Sequence, residues 1–267
     1  MKIQRIRALY WSATGNTKKV VRYMAHCFSL PVLEQDFTLP DARKESIVCS
    51  KEELVLIGLP TYAGKLPNKI MPFVKEKIQG NSTLAVPVVT FGNRNFDHSL
   101  AELCILLKEN HFIPIGACAL SCQHAFSSRL AYARPNESDW EELDHFLMNV
   151  QKKLDQGPPF DFAVPGDAKA PYYFPKKEDG SPARVLKAKP IVDKVLCTQC
   201  RVCAHLCPMG SIDTMDPSLT PGVCIKCQRC IHQCPQKARS FQDPEFLSHV
   251  KMLEAHYTNP RANQFFF

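Results

Sequence analysis

Two runs in the C-terminal third of the sequence carry one pattern. Residues 197–208 read CTQCRVCAHLCP and residues 224–235 read CIKCQRCIHQCP. Both are C-x2-C-x2-C-x3-C-P, with Cys197, Cys200, Cys203 and Cys207 in the first run and Cys224, Cys227, Cys230 and Cys234 in the second. A C-x2-C-x2-C segment wraps tightly enough to present three thiolates to one cubane iron–sulfur cluster, and the fourth cysteine lies too far along the turn and reaches the other cluster. The spacing therefore predicts two [4Fe-4S] clusters. One is held by Cys197, Cys200, Cys203 and Cys234, the other by Cys224, Cys227, Cys230 and Cys207. Structural zinc also uses C-x2-C pairs, but it takes four ligands per ion and usually joins two such knuckles. Four cysteines per run, with Pro208 and Pro235 after each fourth one, is not that pattern. Disulfides require an oxidising compartment, and the opening MKIQRIRALYW is charged and only briefly apolar, unlike a secretory signal.

A chain of 267 residues has room for one sizeable core and a small second domain. No apolar run approaches the roughly eighteen residues that a membrane-spanning helix needs, so the expected location is the cytoplasm. Of 13 cysteines, the eight in the two runs leave Cys27, Cys49, Cys104, Cys118 and Cys122. Most lie in apolar periodic stretches and read as small buried hydrophobes. For Cys118 and Cys122, four apart, burial is favoured over a redox pair. The net charge of +7 is spread along the chain without a basic block. That argues against nucleic acid, and the mildly basic cysteine-rich segment favours an acidic protein partner, through steering more than affinity.

The first 155 residues alternate strand-like and helix-like periods. Residues 3–11 read as a strand and run into SATGNTKK. A strand, a loop of small hydroxyl and glycine residues, and then a helix is a phosphate-binding arrangement, with backbone N–H groups and the helix dipole facing the anion. Ser12, Thr14, Gly15, Asn16 and Thr17 are the candidate donors. No GxxxxGK[ST] motif is present, so this is not a nucleoside triphosphatase loop. The following helix places Val21, Met24 and Phe28 on one face. Residues 31–37 form a candidate second strand, and 53–59, ELVLIGL, a third that reads as buried on both faces. It opens into Pro60, Thr61, Tyr62, Ala63 and Gly64. A helix is expected over 68–79 with Pro72 in its first turn. A fourth strand, 84–91, opens into Gly92, Asn93, Arg94, Asn95, Phe96 and Asp97. A helix over 98–110, a fifth strand over 112–121 and a helix over 137–154 complete the series. Five strands alternating with helices predict an α/β, doubly wound parallel sheet, whose ligand sits beyond the strand C-termini at the topological switch point.

Residues 12–17 resemble the flavodoxin phosphate loop, [ST]-x-T-G-x-T, and the cysteine runs resemble those of bacterial two-cluster ferredoxins. With TFGNR at residues 90–94, the chain as a whole resembles flavodoxin–ferredoxin fusion proteins. The resemblance implies strand order 2-1-3-4-5 with FMN at the edge between strands 1 and 3. Ser12 to Thr17 would hold its phosphate. Pro60, Thr61, Tyr62, Ala63 and Gly64 would border one side of the ring system, and Gly92, Asn93, Arg94 and Phe96 the other. Tyr62 and Phe96 are the candidate stacking aromatics; the alternative for each is a packed aromatic without a ligand. Asp97 belongs either to the site or to the N-cap of the next helix. His124, after strand 5, reads as a structural histidine near the site. The chain departs from flavodoxins in not being acidic and in having phenylalanine as the second aromatic.

The expected domains are a flavodoxin-like FMN domain over 1–155, a proline-rich linker over 156–190, a 2[4Fe-4S] ferredoxin domain over 191–242 and a tail over 243–267. The linker holds Pro158, Pro159, Pro165, Pro171, Pro175, Pro182 and Pro190, but also Phe160, Phe162, Tyr172, Tyr173 and Phe174. Its aromatics predict that part of it is pinned along the first domain. The tail is expected to form a helix over 244–257 and to pack Phe265, Phe266 and Phe267 on a neighbouring surface. The functional expectation is an electron-transfer protein passing low-potential electrons between two [4Fe-4S] clusters and FMN for a separate redox partner. A flavin-dependent reductase of a small substrate and a redox sensor are the rivals. No GxGxxG follows any strand, which argues against a separate pyridine-nucleotide site.

Overall fold

A computed structural model describes residues 2–267. The main sheet is built from β1 (Arg5–Tyr10), β2 (Val32–Asp36), β3 (Glu53–Pro60), β4 (Thr83–Phe91), β5 (Ala117–Ser121) and β6 (Gln264–Phe266). The order is β2-β1-β3-β4-β5-β6. The first five strands run parallel, and β6 joins β5 antiparallel, with Phe265 opposite Cys118. This is the flavodoxin-like 2-1-3-4-5 order with one strand added at the β5 edge.

β3 explains why the sheet sits in the middle of the core. Val55, Ile57 and Leu59 face one apolar cluster, Leu54 and Leu56 the other, and all are fully buried. Helices α1 (Asn16–His26) and α4 (Glu137–Gln156) cover one face through Val20, Met24, Leu143 and Phe146. Helices α2 (Met71–Lys77) and α3 (Ser99–Glu109) cover the other through Phe73, Val74, Leu100 and Leu103. α1 lies unusually close to β3. A Cβ at Gly58 would stand 2.4 Å from Val21 Cγ2 and 2.8 Å from Thr17 Cγ2. Only glycine lets the helix settle there, with its N-terminus at the C-terminal edge of the strands.

Two boundaries differ from the sequence expectation. The fifth strand is divided: Phe112–Pro114 pairs with the start of β4, and β5 with its end. Ala85 faces Pro114 and Val88 faces Cys118, so strand 5 carries one residue more than β4 between those pairs, a bulge at Ile115–Gly116. α2 is shorter than 68–79, because Ile78 and Gln79 leave the helix to pair with Ile47 and Val48. Pro72 does sit in its first turn. α4 starts with a capping box in which Asn136 and Asp139 bond each other's backbone N–H at 3.2 and 2.8 Å.

Residues 160–173 run along the sheet domain, and residues 176–189 along the helix and cysteine-rich segment that follow. Tyr173 N–H donates to Ala63 O at 2.8 Å, Tyr172 Oη to Leu66 O at 2.8 Å, and Lys65 Nζ to Ala168 O at 2.6 Å. Phe162 and Val164 pack on the core. The cysteine-rich segment follows. A two-residue antiparallel ladder joins Ile191–Val192 to Arg239–Ser240, and two one-turn helices, α5 (Val202–His205) and α6 (Arg229–His232), lie between. Helix α7 (Pro244–His256) is capped by Asp243, whose carboxylate accepts from Phe246 N at 2.8 Å. The chain then returns to the sheet as β6. There Phe146 meets Phe265 and Phe267 at 5.3 and 5.2 Å between ring centroids.

Candidate functional site

A cavity of about 250 Å³ opens at the C-terminal ends of β1, β3 and β4. Of the residues singled out in the sequence, Ser12, Thr14, Asn16, Thr17, Pro60, Thr61, Tyr62, Ala63, Gly92 and Arg94 line it. Gly15, in the left-handed region, closes the turn that starts α1. The first turn of α1 contains no acidic residue, and Asn16 and Thr17, whose N–H groups have no intrahelical partner, line the cavity. Ser12 Oγ accepts from Lys18 N at 3.1 Å, and Thr17 Oγ1 and Thr90 Oγ1 share a bond of 2.8 Å. Asn16 Nδ2 donates to Gln123 O at 2.9 Å, fastening the loop to the end of β5.

Four of the expected residues do other work. Phe96 is buried in the core, its ring tilted at 55° to that of Phe91 with 5.6 Å between centroids; Phe91, and not Phe96, lines the cavity. Asn93 adopts a left-handed backbone and turns its amide to the tail, donating to Tyr257 O and Asn259 O and accepting from Arg261 N. Asp97 pairs with Arg94, and it is not the N-cap of α3, which is His98. Gly64 has φ +79°, and a Cβ on it would meet the Asp97 carboxylate at 2.2 Å. Its role is to let the loops after β3 and β4 touch.

Tyr62 remains at the cavity, its ring edge-on to Trp11 at 5.8 Å. His124 also lines the cavity, and its Nδ1 accepts from Phe126 N at 3.0 Å. Burial first, then His249 and Arg94, push its pKa down to about 4, so the ring is neutral at ordinary pH. The Arg94 guanidinium lies over the Tyr173 ring at 4.0 Å.

Sequence reasoning missed the far wall. Tyr173 and Pro175 come from the linker, Ile225 and Lys226 from between Cys224 and Cys227, and Phe246, His249 and Leu253 from α7. No local pattern marks these residues; they meet the cavity only through tertiary packing.

The two cysteine runs are built alike. Gln199 and Lys226, Arg201 and Gln228, and Gly210 and Lys237 occupy equivalent places, and all six have positive φ. Ser211 N points at Cys207 Sγ at 3.4 Å, and Ala238 N at Cys234 Sγ at 3.3 Å. Cys197, Cys200, Cys203 and Cys234 line one small void of about 20 Å³ beside Arg239. Arg239 Nη1 lies 3.5 Å from Cys203 Sγ. In the second set, burial, followed by the neighbouring sulfurs Cys230, Cys207 and Cys224, pushes the Cys227 thiol up to about 12. Among the described residues, no three His, Cys, Asp or Glu side chains converge on a single ion position.

The remaining cysteines are mostly buried; Cys27 is exposed. Cys118 and Cys122 lie four residues apart along extended chain, about 13 Å at 3.3 Å per residue, beyond disulfide reach.

The fold and the strand order define a flavodoxin-like α/β domain over the N-terminal part of the chain. Solved structures with this likeness include a flavodoxin from the domain Archaea, at 15% identity over 57% of this chain and 99% of that one, with a TM-score of 0.39. A Streptococcus pneumonia flavodoxin matches at 17% identity over 56% and 99%, TM-score 0.39. The rubredoxin oxygen:oxidoreductase of Desulfovibrio gigas matches at 15% over 58% of this chain and 37% of its own, TM-score 0.37. At such scores the likeness adds nothing to what the strand order establishes. No protein-family model matches the chain, and no curated protein matches it. Among the described residues no helix is long and apolar enough to cross a membrane.

Proposed function

We propose that this chain is an electron-transfer flavoprotein that binds one FMN in the strand-end cavity and two [4Fe-4S] clusters on its cysteine runs. One observation carries the reading. The cavity at the phosphate loop is walled on its far side by Ile225 and Lys226, which belong to the loop between Cys224 and Cys227. When bound, the clusters supply one-electron exchange and the flavin one- or two-electron exchange.

The residues present fit both groups. Uncharged donors at the α1 N-terminus suit a phosphate. Tyr62 offers a face to the ring system, and Arg94 places a cation at the cavity wall. The four cysteines of the first set line one void together, as the ligands of a four-iron cluster would. The repeated N–H···S contacts at Cys207 and Cys234 lower the cost of negative charge on sulfur. Crossed ligation is supported by Cys234 lining the void of the first run. Such thiols stay unpaired in a reducing compartment, so the cytoplasm is the proposed setting. The donor and acceptor are proposed to be separate redox proteins.

Anaerobic purification with iron, sulfide and flavin counts tests the reading. About eight iron atoms and one FMN per chain are expected from two four-iron clusters. Four iron or fewer after reconstitution, or no flavin, overturns it. A flavin-dependent reductase is the second reading. It is favoured by His124 and His249 lining the cavity beyond the phosphate loop. Saturable oxidation by a small acceptor, lost in His124→Asn with cofactor content intact, would favour that reading over a carrier.

A further inference from the structure

Two arginines tie the second cysteine set to the phosphate loop. Arg229, between Cys227 and Cys230, donates from Nη1 to Ser12 O at 3.1 Å and to Ala13 O at 2.9 Å. Its Nε is buried without a partner. Arg43, on the sheet domain, donates from Nη1 to Phe37 O at 3.0 Å and Thr38 O at 2.5 Å, and from Nη2 to Pro208 O at 2.6 Å. Pro208 follows Cys207, the fourth ligand of the same set. The two anchor points are themselves joined, because Ser12 N donates to Thr38 Oγ1 at 2.9 Å. Met209, Ile225 and Cys227 pack on the apolar core beside these bonds. The first cysteine set is placed differently: its void is lined only by residues 197–239, and Cys200 is exposed.

A phosphate loop binds through the directions of its backbone N–H groups, and those directions depend on how its carbonyls are held. Arg229 grips the carbonyls of Ser12 and Ala13, the two residues leading into Thr14–Thr17. The bonds are charge-assisted and partly buried, which makes them stronger than neutral ones at the surface. The position of Arg229 follows that of Cys227 and Cys230 on either side of it. Ligation of those two thiols therefore fixes the arginine, and the arginine fixes the loop.

We propose that Arg229, supported by Arg43, is a positioning residue that couples the two cofactor sites, so that loading the Cys207/Cys224/Cys227/Cys230 set tightens FMN binding. This rests on the function proposed above. Linkage makes the effect reciprocal: bound FMN strengthens the equilibrium binding of iron by that set by the same free energy.

The test uses the full chain, reversibly stripped of flavin, and measures the FMN dissociation constant by fluorescence titration with the clusters present and after their removal by oxidative chelation. In the native sequence, removal is expected to weaken FMN binding about tenfold, inside the usual range of coupling between sites. In Arg229→Gln, binding with clusters present is expected to fall about tenfold, and removal then adds less than about twofold. Arg229→Lys is expected to restore part of the coupling. If Arg229→Gln does not take up iron, Arg43→Gln, remote from the thiols in sequence, is expected to give the same pattern in weaker form. An FMN affinity indifferent to the clusters overturns the coupling, and so do losses from Arg229→Gln and cluster removal that simply multiply. If no form binds FMN, the proposed function falls first and the coupling with it.

Discussion

The sheet domain and the cysteine module are held together by different physics. The sheet domain buries two continuous apolar layers, with Leu54, Val55, Leu56, Ile57 and Leu59 of β3 all at 0% exposure. The module between Ile191 and Ser240 has as its own core only Cys203, Ala204 and Ile212, with Cys207 and Cys230 against them. Val195, Met215 and Leu219 of the same module lie open to solvent. A segment that short cannot bury enough surface to fold unaided, so covalent or coordinate links must make up the difference. The sheet needs no ligand to exist; the module needs its thiols occupied or its arginine clamps engaged.

The largest expected effect separates the two. Removing metal by anaerobic chelation should release the amides of residues 191–242 to rapid hydrogen exchange, while β1, β3 and β4 keep their protection. Equal loss of protection in both regions would break the comparison.

A smaller effect should fall on the sheet alone. Asp139 is buried and pairs with Arg134, and it also accepts from Asn263 Nδ2 at 2.8 Å. Asp139→Asn leaves Arg134 without its counter-charge and should cost about 3–5 kcal/mol in urea unfolding of the sheet domain. Its iron content should be unchanged. Loss of iron would show that the module leans on the sheet core more heavily than its few contacts imply.

The smallest expected effect is a pH dependence at the boundary between the regions. In the unfolded chain His124 takes its proton near 6.5, and in the folded protein only near about 4, because burial dominates. Between those values the unfolded state binds more protons, so stability is full above about 6.5 and declines as the pH falls toward 4. His249, also lowered by burial, adds in the same direction. The urea midpoint of flavin-free protein should decline over this range, by less than a fully buried histidine would give, since His124 is partly open to the cavity. His124→Asn, which can still accept from Phe126 N, should flatten the decline. An unchanged slope would remove His124 from the account.

The alternation of strands and helices was legible because β3 is a continuous apolar run and α1, α3 and α4 carry helical periodicity, all local properties; the strand order came only from the resemblance of residues 12–17 to a flavodoxin loop. The loop that leads from β1 into α1 and lines the cavity was legible for the same reason: strand, loop and helix are contiguous. The loop after β4 was not. Its path depends on the left-handed backbone at Asn93 and on a tail more than 160 residues away, which holds the Asn93 amide at Tyr257, Asn259 and Arg261. Phe96 has the composition of a stacking residue, and the same turn sends it into the core. Nor could a sequence containing Arg229 reveal that its partners are two carbonyls 216 and 217 positions earlier. β6 lacks the alternation of a half-buried strand, and its partner Cys118 lies far upstream.

That last strand bears on biosynthesis. The open edge of β5 finds its partner only once Gln264–Phe266 has been made, after both cysteine runs. Until then the nascent sheet presents an unpaired border able to join a stranger's backbone. Docking of the cysteine-rich segment and sealing of the sheet both follow synthesis of the five parallel strands, and a chain stalled between residues 242 and 264 would leave that border uncovered.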